Sequence, residues 1–400
     1  MNILMVVNKS QGKLGPSETF LQSQITDLPG QVTLLIGNPG ERRVGDNSNK
    51  FLLTNSVLGK GFRRCVRKVS GTTLEEQDSR ALTDYLKSNN FDVVLAQYGP
   101  TAVSVMSACE QTQTPLVAHF HGYDAYVGYY LEKYKTEYRS LFKSAAAIVA
   151  VSTHMKRQLE SLGAEPSKVH YSACGADTPV GFIKDKDTPS KTYAMVGRLT
   201  DKKAPIVSII AFSQLLNDHP GSTLEIIGDG PLMDQCVSLA KSLNISDSVI
   251  FHGAQPHEEV VSLLERSRLF LQHSVTAPNG DMEGTPVGVL EAMAMGLPVV
   301  STKHGGIMDV IDSSNLGTLV DEYDLKGMSE ALKSLADDDK LIREIGDNAQ
   351  KRVQEKWTNQ HSIDRLAKIL SLGSQNLIWK TLLPPNRAYL CHQQQAENAS

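Results

Sequence analysis

Residues 281–300, with the sequence DMEGTPVGVLEAMAMGLPVV, limit most tightly how this chain can fold. Thr285 is expected to be the N-cap of a helix over residues 287–295. Pro286 is expected at the first helical position, where its missing N–H removes no hydrogen bond. Gly296 is expected to end the helix in a left-handed conformation. The apolar residues that follow then predict a buried strand, so the segment is a helix leading directly into a sheet.

The start of this helix predicts an anion-binding site. Gly284 and Gly288 leave backbone N–H groups open to a close ligand, and a helix N-terminus carries positive partial charge. Glu283 lies just before the helix, and Glu291 follows it by about two turns. Taken alone, the pattern is more often a capped core helix with two solvent-facing glutamates. Charged and polar residues elsewhere in the chain, described below, favour the anion-binding site over this explanation.

The composition is that of an ordinary soluble globular protein. The chain has 400 residues, 40% of them hydrophobic and 21% charged, and this length predicts about two domains. A formal net charge of −4 argues against a dedicated nucleic-acid binder. No apolar stretch reaches the ~20 residues that cross a bilayer, and the N-terminal residues predict a buried strand rather than a signal peptide. We therefore expect a cytoplasmic protein whose five scattered cysteines are reduced and form no zinc site.

Strands and helices alternate along both halves of the chain. Between the halves, residues 179–190 are polar and contain prolines, which predicts a linker. The alternation predicts two doubly wound parallel-sheet domains, over residues 1–180 and 190–370. The tail over residues 371–400 is expected to be partly disordered or draped over the surface. Strands are predicted at residues 3–7, 32–36, 93–97, 116–120, 145–151, 169–171, 193–196, 223–227, 249–251, 269–271, from 297, and at 317–320.

Polar residues follow the predicted strand at 116–120. His119, His121 and Asp124 lie at its carboxyl end, where open parallel sheets bind ligands. A lone histidine there could be a satisfied structural residue, whereas two histidines with a glycine and an aspartate favour a site. Because His119 and His121 share one face of the strand, one of them is a candidate for a supporting role.

Two cations follow the first predicted strand of the second half. Arg198 and Lys203 lie in the loop before a helix, and together they suit a diphosphate, with arginine as a fork and lysine as a point charge. Alone they would more often be surface charges. With the open helix start at Gly284, they make three features suited to one doubly charged ligand.

Other charged or glycine-containing segments carry less information. Residues 60–68, KGFRRCVRK, could touch a membrane surface or an anionic acceptor, but a solvated helix face is the somewhat favoured explanation. The DKD sequence at 185–187 lies in the linker, so we interpret it as chance and expect no metal site. Gly12 and Gly15 do not form the GxGxxG pattern, so a nicotinamide cofactor is not supported.

Four segments of the second half, GRLTDKK, GDGP, HGAQPHEEV and EGTPVGVLEAMAMGLPVV, resemble the retaining glycosyltransferases of family 4. Glu283 and Glu291 match the E-x7-E pair of that family, and the motif G-R-L-x-x-x-K is matched from Gly197 to Lys203. The match covers most of residues 193–317. In the first half it is looser, carried by SETF and HFHGYD. The resemblance implies the GT-B fold, in which two Rossmann-like domains face each other across a cleft. Within the family, the sequence is similar to enzymes of exopolysaccharide and surface-glycan assembly.

The resemblance also implies a role for each matched residue. Arg198 and Lys203 would neutralise the diphosphate of a nucleotide sugar, Glu291 would bind the ribose, and Glu283 with the amides of residues 284–288 would hold the donor sugar and its phosphate. His121 would approach the reacting carbon, and His119 is the second choice for that role. His119 and Asp124 are otherwise candidates for supporting or acceptor-binding roles. The implied catalytic residues are His121, Glu283, Arg198 and Lys203; the implied donor-binding residues are Gly15, Gly197, Arg198, Lys203, Gly253, Glu283, Gly284, Thr285, Pro286, Val287, Gly288 and Glu291.

The implied reaction is sugar transfer with retention of configuration from a UDP- or GDP-type donor. The acceptor would be a hydroxyl of a carbohydrate or lipid-linked glycan in polysaccharide biosynthesis, reached in the cytoplasm or at the inner membrane face. The resemblance implies no cofactor and no divalent metal, because Arg198 and Lys203 carry the neutralisation. The domains would close around the donor, with hinges near residues 180–190 and near the C-terminal helices.

The chain departs from the family pattern at two positions. Ala204 stands where a glycine is common after the phosphate-binding lysine, and Gly288 where a larger apolar residue is common. Either change could alter how closely the donor approaches the backbone. Two alternatives stay open: a catalytically inactive nucleotide-sugar-binding subunit, and a GT-B nucleotide-sugar epimerase. A phosphorylase would need a pyridoxal phosphate lysine context, which the sequence does not offer.

Overall fold

The computed structural model describes residues 1–9, 14, 18–45, 50–53, 71–176 and 190–382. Within these residues the chain forms two doubly wound sheets that are parallel apart from one short edge strand, which confirms the predicted fold class. Several predictions lie outside the described residues: those at Gly15, in the basic stretch 60–68, in most of the linker 179–190, and in the tail beyond residue 382.

The first domain contains a seven-stranded sheet of order β3-β2-β1-β4-β5-β6-β7, in which β3 alone is antiparallel to its neighbour. Central strand β1 is buried on both faces, as is expected for a parallel sheet covered by helices on each side. The strands are β1 (Asn2–Val7), β2 (Gln31–Ile36), β3 (Arg43–Val44), β4 (Val93–Gln97), β5 (Leu116–Phe120), β6 (Ala147–Ala150) and β7 (Val169–Tyr171). The described helices are α1 (Thr19–Asp27), α2 (Leu74–Ser88), α3 (Gly99–Thr112), α4 (Tyr123–Tyr126), α5 (Gly128–Lys133), α6 (Lys135–Ser144) and α7 (Thr153–Ser161).

The second domain contains a six-stranded parallel sheet of order β10-β9-β8-β11-β12-β13. Its strands are β8 (Thr192–Val196), β9 (Thr223–Ile227), β10 (Val249–Gly253), β11 (Leu269–Leu271), β12 (Val299–Thr302) and β13 (Thr318–Val320). Its helices are α8 (Pro205–Leu215), α9 (Met233–Ser242), α10 (His257–Arg266), α11 (Val287–Ala294), α12 (Ile307–Val310), α13 (Leu325–Ala336) and α14 (Asp339–Lys356).

The last helix, α15 (Asn359–Leu382), returns to the first domain. Its apolar residues Ile363, Leu366, Ile369 and Leu370 pack with Ile3, Val93, Val117 and other residues of the first sheet. This differs from the predicted division, which placed residues 359–370 with the second domain and ended the helix near 370. The apolar face of α15 finds its partner on the first sheet, a pairing that sequence distance does not reveal.

The two domains also touch across the cleft between them. Ser152 caps helix α7 by accepting a hydrogen bond from the Met155 N–H at 3.0 Å. The next N–H, that of Thr153, donates to the Asp309 carboxylate of helix α12 at 2.7 Å, and the Thr153 hydroxyl donates to the same carboxylate. A carboxylate of one domain therefore sits at the positive end of a helix of the other.

Candidate active site

The cleft between the domains contains a cavity of about 660 Å³ at the carboxyl ends of both sheets. Open parallel sheets bind ligands at this position. Tyr123, Val127 and Tyr130 form part of the first-domain wall. Eight sequence-predicted residues line the cavity from the second domain: Gly197, Arg198, Lys203, Glu283, Thr285, Val287, Gly288 and Glu291. Folding thus brings the loop after β8 and the start of α11 to one place.

Lys203 and Glu283 form an ion pair at the base of the cleft. The Lys203 Nζ lies 3.1 Å from the Glu283 Oε2 and 3.2 Å from the Gln272 Oε1. Burial would raise the pKa of Glu283, but the charges of Lys203 and Lys202 outweigh it and hold that pKa below its ordinary value. Glu283 is therefore an anion at neutral pH, held beside a cation.

The second carboxylate oxygen of Glu283 has no hydrogen-bond partner among the described residues. This oxygen, Oε1, is buried, and the residue as a whole is only 5% exposed. A buried acceptor without a donor is costly, by about 1–3 kcal/mol in proteins. Since Glu283 lines the cavity, a ligand that donates a hydrogen bond would satisfy this oxygen.

Helix α11 begins at residue 287, but the predicted roles of Thr285 as N-cap and of Pro286 as first helical residue were wrong. Pro286, not Thr285, stands at the N-cap position, and Val287 is the first helical residue. The Thr285 hydroxyl instead donates to the Val151 carbonyl at 2.8 Å and accepts from the Cys174 N–H at 3.0 Å. Both partners belong to the first domain, so tertiary contacts take the hydroxyl from the helix start.

Fewer free backbone N–H groups lie at the start of α11 than the sequence predicts for residues 284–288. Within the part of the chain that the structure describes, the N–H groups of Gly288 and Val289 have no acceptor, whereas the Val287 N–H donates to the Thr285 carbonyl. Gly288 lines the cavity, and a Cβ there would come 3.2 Å from the Val196 carbonyl oxygen. Gly284 faces the first domain instead, where a Cβ would lie 2.4 Å from the His121 carbonyl oxygen. Glycine at 284 therefore permits close contact between the domains.

Arg198 and Glu291 also line the cavity. Arg198 follows β8 and its side chain is exposed to the cleft. Glu291 lies in the second turn of α11, with its Oε1 3.8 Å from the His257 Nδ1. An exposed cation and a carboxylate that line one cavity can contact a phosphate and a sugar hydroxyl of one ligand.

His119, in β5, and His121, directly after it, pack with their rings tilted by 38°, and neither lines the cavity. Their ring centroids are 4.1 Å apart, and the His121 Nε2 lies 2.7 Å from the Gln97 Oε1. Neither ring nitrogen of His119 has a hydrogen-bond partner among the described residues. Burial lowers the pKa of His119 to about 3; burial and His119 together hold that of His121 well below its ordinary value. Both rings are therefore neutral at physiological pH.

Asp124 occupies the turn after β5 and is fully buried. Its carboxylate accepts hydrogen bonds from the N–H groups of Gly99, His121 and Gly122, at 2.9 to 3.1 Å. This geometry fixes the backbone that carries His121. It fits the supporting role rather than contact with an acceptor.

Six predicted site residues that the structure describes do not line the cavity: His119, Asp124, His121, Gly253, Gly284 and Pro286. His121, Gly284 and Pro286 lie next to it, and Gly253 ends strand β10 in a left-handed conformation at φ +68°. Gly253 accepts a hydrogen bond from the Gly228 N–H at 2.8 Å, which ties two strand ends together. Gly15 lies outside the described residues.

The sequence reasoning missed several residues of the cleft. Lys202 lies 3.2 Å from the Asp281 carboxylate, and Tyr123 and Tyr130 pack at the first-domain wall with ring centroids 4.8 Å apart and ring planes tilted by 59°. His304 accepts a hydrogen bond from the Glu283 N–H at 3.1 Å. The one available signal was position: Lys202 adjoins Lys203, and His304 directly precedes the Gly305–Gly306 pair after β12.

The described residues contain no group of three or more histidine, cysteine, aspartate or glutamate side chains that could hold a metal ion. They also contain no helix long and apolar enough to cross a membrane. The positive charges at the cleft are supplied by Arg198, Lys202 and Lys203.

Two Rossmann-like domains with a ligand cleft between them define the GT-B class. Structural neighbours have the same fold: HepE of Anabaena in complex with UDP aligns with a TM-score of 0.70 at 18% identity, over 93% of this chain and 100% of HepE. The lipopolysaccharide outer core galactosyltransferase WaaB aligns with a TM-score of 0.63 at 17% identity, over 96% of this chain and 100% of WaaB. At such identities the likeness concerns the fold.

Sequence comparison identifies the family. Residues 181–352 match the model for Glycosyl transferases group 1, and residues 49–179 match that for Glycosyltransferase Family 4. WcaL of Salmonella typhimurium, named for colanic acid biosynthesis, is 32% identical over 285 residues, 70% of each chain. The amylovoran biosynthesis glycosyltransferase AmsK of Erwinia amylovora is 29% identical over 283 residues, again 70% of each chain. The chain belongs to the family 4 glycosyltransferases, as its motifs predicted.

Proposed function

We propose that this glycosyltransferase transfers a hexose from a nucleotide-diphosphate sugar to a hydroxyl of a glycan or lipid-linked glycan, with retention of configuration, in surface-polysaccharide biosynthesis. The observation that carries the proposal is Glu283, which lines the cavity, pairs with Lys203 through its Oε2 and keeps a buried Oε1 without a partner among the described residues. Sugar hydroxyls are hydrogen-bond donors that satisfy such an oxygen. The neighbouring cations suit the diphosphate that the same donor carries.

The proposed chemistry needs stabilisation of a leaving diphosphate. As the bond to the sugar breaks, negative charge grows on the phosphate, and Arg198, Lys203 and the N–H groups at the start of α11 are fixed in place to stabilise it. The acceptor hydroxyl attacks on the same face of the sugar and gives its proton to the departing phosphate oxygen. Glu291 binds the ribose, and the neutral His121 ring, which does not line the cavity, supports the first-domain side of the donor site. The cations make a divalent metal unnecessary.

The relatives support the donor class in general terms. HepE was solved with UDP and with UDP-glucose, and one relative with 26% identity is named a GDP-mannose-dependent mannosyltransferase of Mycolicibacterium smegmatis. The names of WcaL and AmsK support an exopolysaccharide acceptor. A cytoplasmic reaction with peripheral membrane contact through residues 60–68 belongs to the same proposal. It predicts sedimentation with anionic vesicles that is lost when Arg63, Arg64 and Arg67 become Glu.

The first test is thermal denaturation with UDP, GDP and ADP and their sugars, with EDTA present. A ligand that binds only the folded state adds about 2.7 kcal/mol at a hundredfold excess over its Kd. We expect one nucleotide class to raise the midpoint in EDTA. Arg198→Ala should abolish the shift, whereas Glu283→Gln should retain nucleotide binding and lose transfer. Lys351→Ala, at an exposed residue of α14, is the control.

The selected donor is then used in transfer assays, with the anomeric configuration of the product read by NMR. An inverted product would contradict retention, and a nucleotide shift that requires added divalent ions would contradict metal independence. Conversion of the donor sugar without an acceptor would favour the epimerase alternative. A nucleotide shift without any turnover would favour the inactive binding subunit.

A further inference from the structure

The Glu283 backbone is held by a buried histidine that no motif identifies. His304 follows β12 and is 1% exposed. Its Nε2 lies 3.1 Å from the Glu283 backbone nitrogen, which donates the hydrogen bond. Its Nδ1 lies 2.6 Å from the Glu322 Oε1. Glu322, just after β13, is thus connected through one ring to the residue that lines the cleft.

The hydrogen-bond roles fix the protonation of this ring. A backbone N–H can only donate, so the His304 Nε2 must be an unprotonated acceptor. A carboxylate can only accept, so the Nδ1 must carry the proton and donate it to Glu322. Burial would raise the pKa of Glu322, but the Thr276 N–H and His304 outweigh it and lower that pKa. The ionised carboxylate therefore selects the neutral Nδ1–H tautomer.

The surrounding backbone leaves Glu283 little room to shift. A Cβ on Gly305 would lie 2.5 Å from the Glu283 carbonyl oxygen, and one on Gly306 would overlap the Gly284 carbonyl oxygen. Glu322 also accepts from the Thr276 N–H at 2.8 Å, which ties the loop after β11 to the loop after β13. Three loops at the carboxyl edge of the second sheet thus meet at one imidazole.

We propose that His304 and Glu322 are positioning residues for the transfer reaction, which hold the Glu283 backbone so that its carboxylate keeps one geometry towards the donor sugar. The role of Glu283 rests on the proposed function, whereas the hydrogen-bond chain does not. A carboxylate displaced by about 1 Å can cost about a hundredfold in rate. Arg198 and Glu291, which contact the nucleotide in the proposed function, do not belong to the hydrogen-bonded series Glu283–His304–Glu322. Loss of His304 or Glu322 should therefore lower kcat and leave nucleotide binding unchanged.

The variants separate this role from a purely structural one. His304→Leu fills the space and removes the acceptor, and it is expected to lower kcat about 10- to 100-fold while the Kd for the nucleotide diphosphate changes less than about threefold. His304→Gln can place an amide oxygen near the Nε2 position and should restore much of kcat. The control His219→Leu removes another histidine–carboxylate pair, 3.1 Å from Asp337 and outside the cleft. It should leave kcat unchanged.

The tautomer gives a readout that needs no turnover. Protein labelled with ¹⁵N-histidine should show His304, assigned by its loss in His304→Gln, as the neutral Nδ1–H form. In Glu322→Ala the Nδ1–H loses its acceptor, so the preference for this tautomer should weaken, with kcat falling towards the His304→Leu value. An Nε2–H or doubly protonated His304, or equal kcat in His304→Leu and His219→Leu, would overturn the inference. If the wild-type protein transfers no sugar from any donor, the proposed function fails, while the tautomer spectrum still decides the hydrogen-bond chain.

Discussion

Individual buried histidines give this protein a pH-dependent stability. Burial lowers the pKa of His119 to about 3 and, despite the nearby Glu322 and Asp324, that of His273 to about 4. The pKa of His121 is lowered as well, by burial and by the neighbouring His119. Each ring is neutral in the folded protein and accepts a proton near pH 6.5 once unfolded. Below that pH the unfolded state binds more protons, so acid favours unfolding.

We therefore expect the free energy of unfolding to fall as the pH drops below about 6.5, by up to about 1.4 kcal/mol per pH unit for each buried histidine. Urea denaturation between pH 7.5 and 4.5 measures this. His119→Leu removes two ring nitrogens that lack partners among the described residues, so it should flatten the profile at little loss of stability at pH 7. His219→Leu, at a side chain that reaches solvent, serves as the control. Equal slopes for wild type and His119→Leu would contradict the prediction.

At the scale of elements, the loop after β8 shows how a local departure from the family pattern is accommodated. Ala204 adopts φ +35° and ψ +53°, the left-handed region, between Lys203 and the start of α8. This conformation costs a non-glycine residue about 1 kcal/mol. The glycine that is common in the family at this position would avoid that cost. The departure of Ala204 from the family pattern therefore has a backbone-strain cost.

Ala204→Gly is expected to raise the free energy of unfolding by about 0.5–1 kcal/mol, because relief of the left-handed strain exceeds the added freedom of the unfolded chain. Ala331→Gly, inside helix α13, is the matched control and should lower it by about 1 kcal/mol. Chemical denaturation of the two variants gives both values. A loss of stability in both would show that Ala204 is not strained.

At the scale of the whole molecule, helix α15 joins the two domains into one unit. The chain crosses from the second domain to the first at residues 357–359, where the Ala176 N–H donates to the Trp357 carbonyl at 2.9 Å and the Asn359 N–H to the Ala176 carbonyl at 3.1 Å. The chain leaves the first domain beside the same point. A hinge near the C-terminal helices, about which the domains would close, stays a prediction.

Leu366→Ala, at a residue of α15 that is buried against the first sheet, is expected to destabilise the first domain by about 2–5 kcal/mol. Hydrogen exchange of the full-length protein should show faster exchange in β1 and β4, with little change in β8 and β9. Lys368→Ala, on the exposed side of the same helix, should leave both sheets unchanged. Faster exchange confined to the second sheet would mean that α15 is part of the second domain.

The sequence by itself determined the fold class, the family and eight of the residues that line the cleft. Apolar periodicity and turn residues are local signals, so strands such as β4, β5 and β11 were predicted with the bounds that the structure has. The motif containing Arg198 and Lys203 and the segment around Glu283 each lie in one short stretch, so their presence could be read without knowing what they touch.

Only the tertiary structure decided which partners these residues have. Thr285 bonds to the first domain instead of capping α11, Lys203 pairs with Glu283, and His304 holds the Glu283 backbone. These contacts join residues 21 to 134 positions apart. A hydroxyl, an ammonium group or an imidazole bonds to whichever partner folding brings within about 3 Å, and no local pattern records that choice.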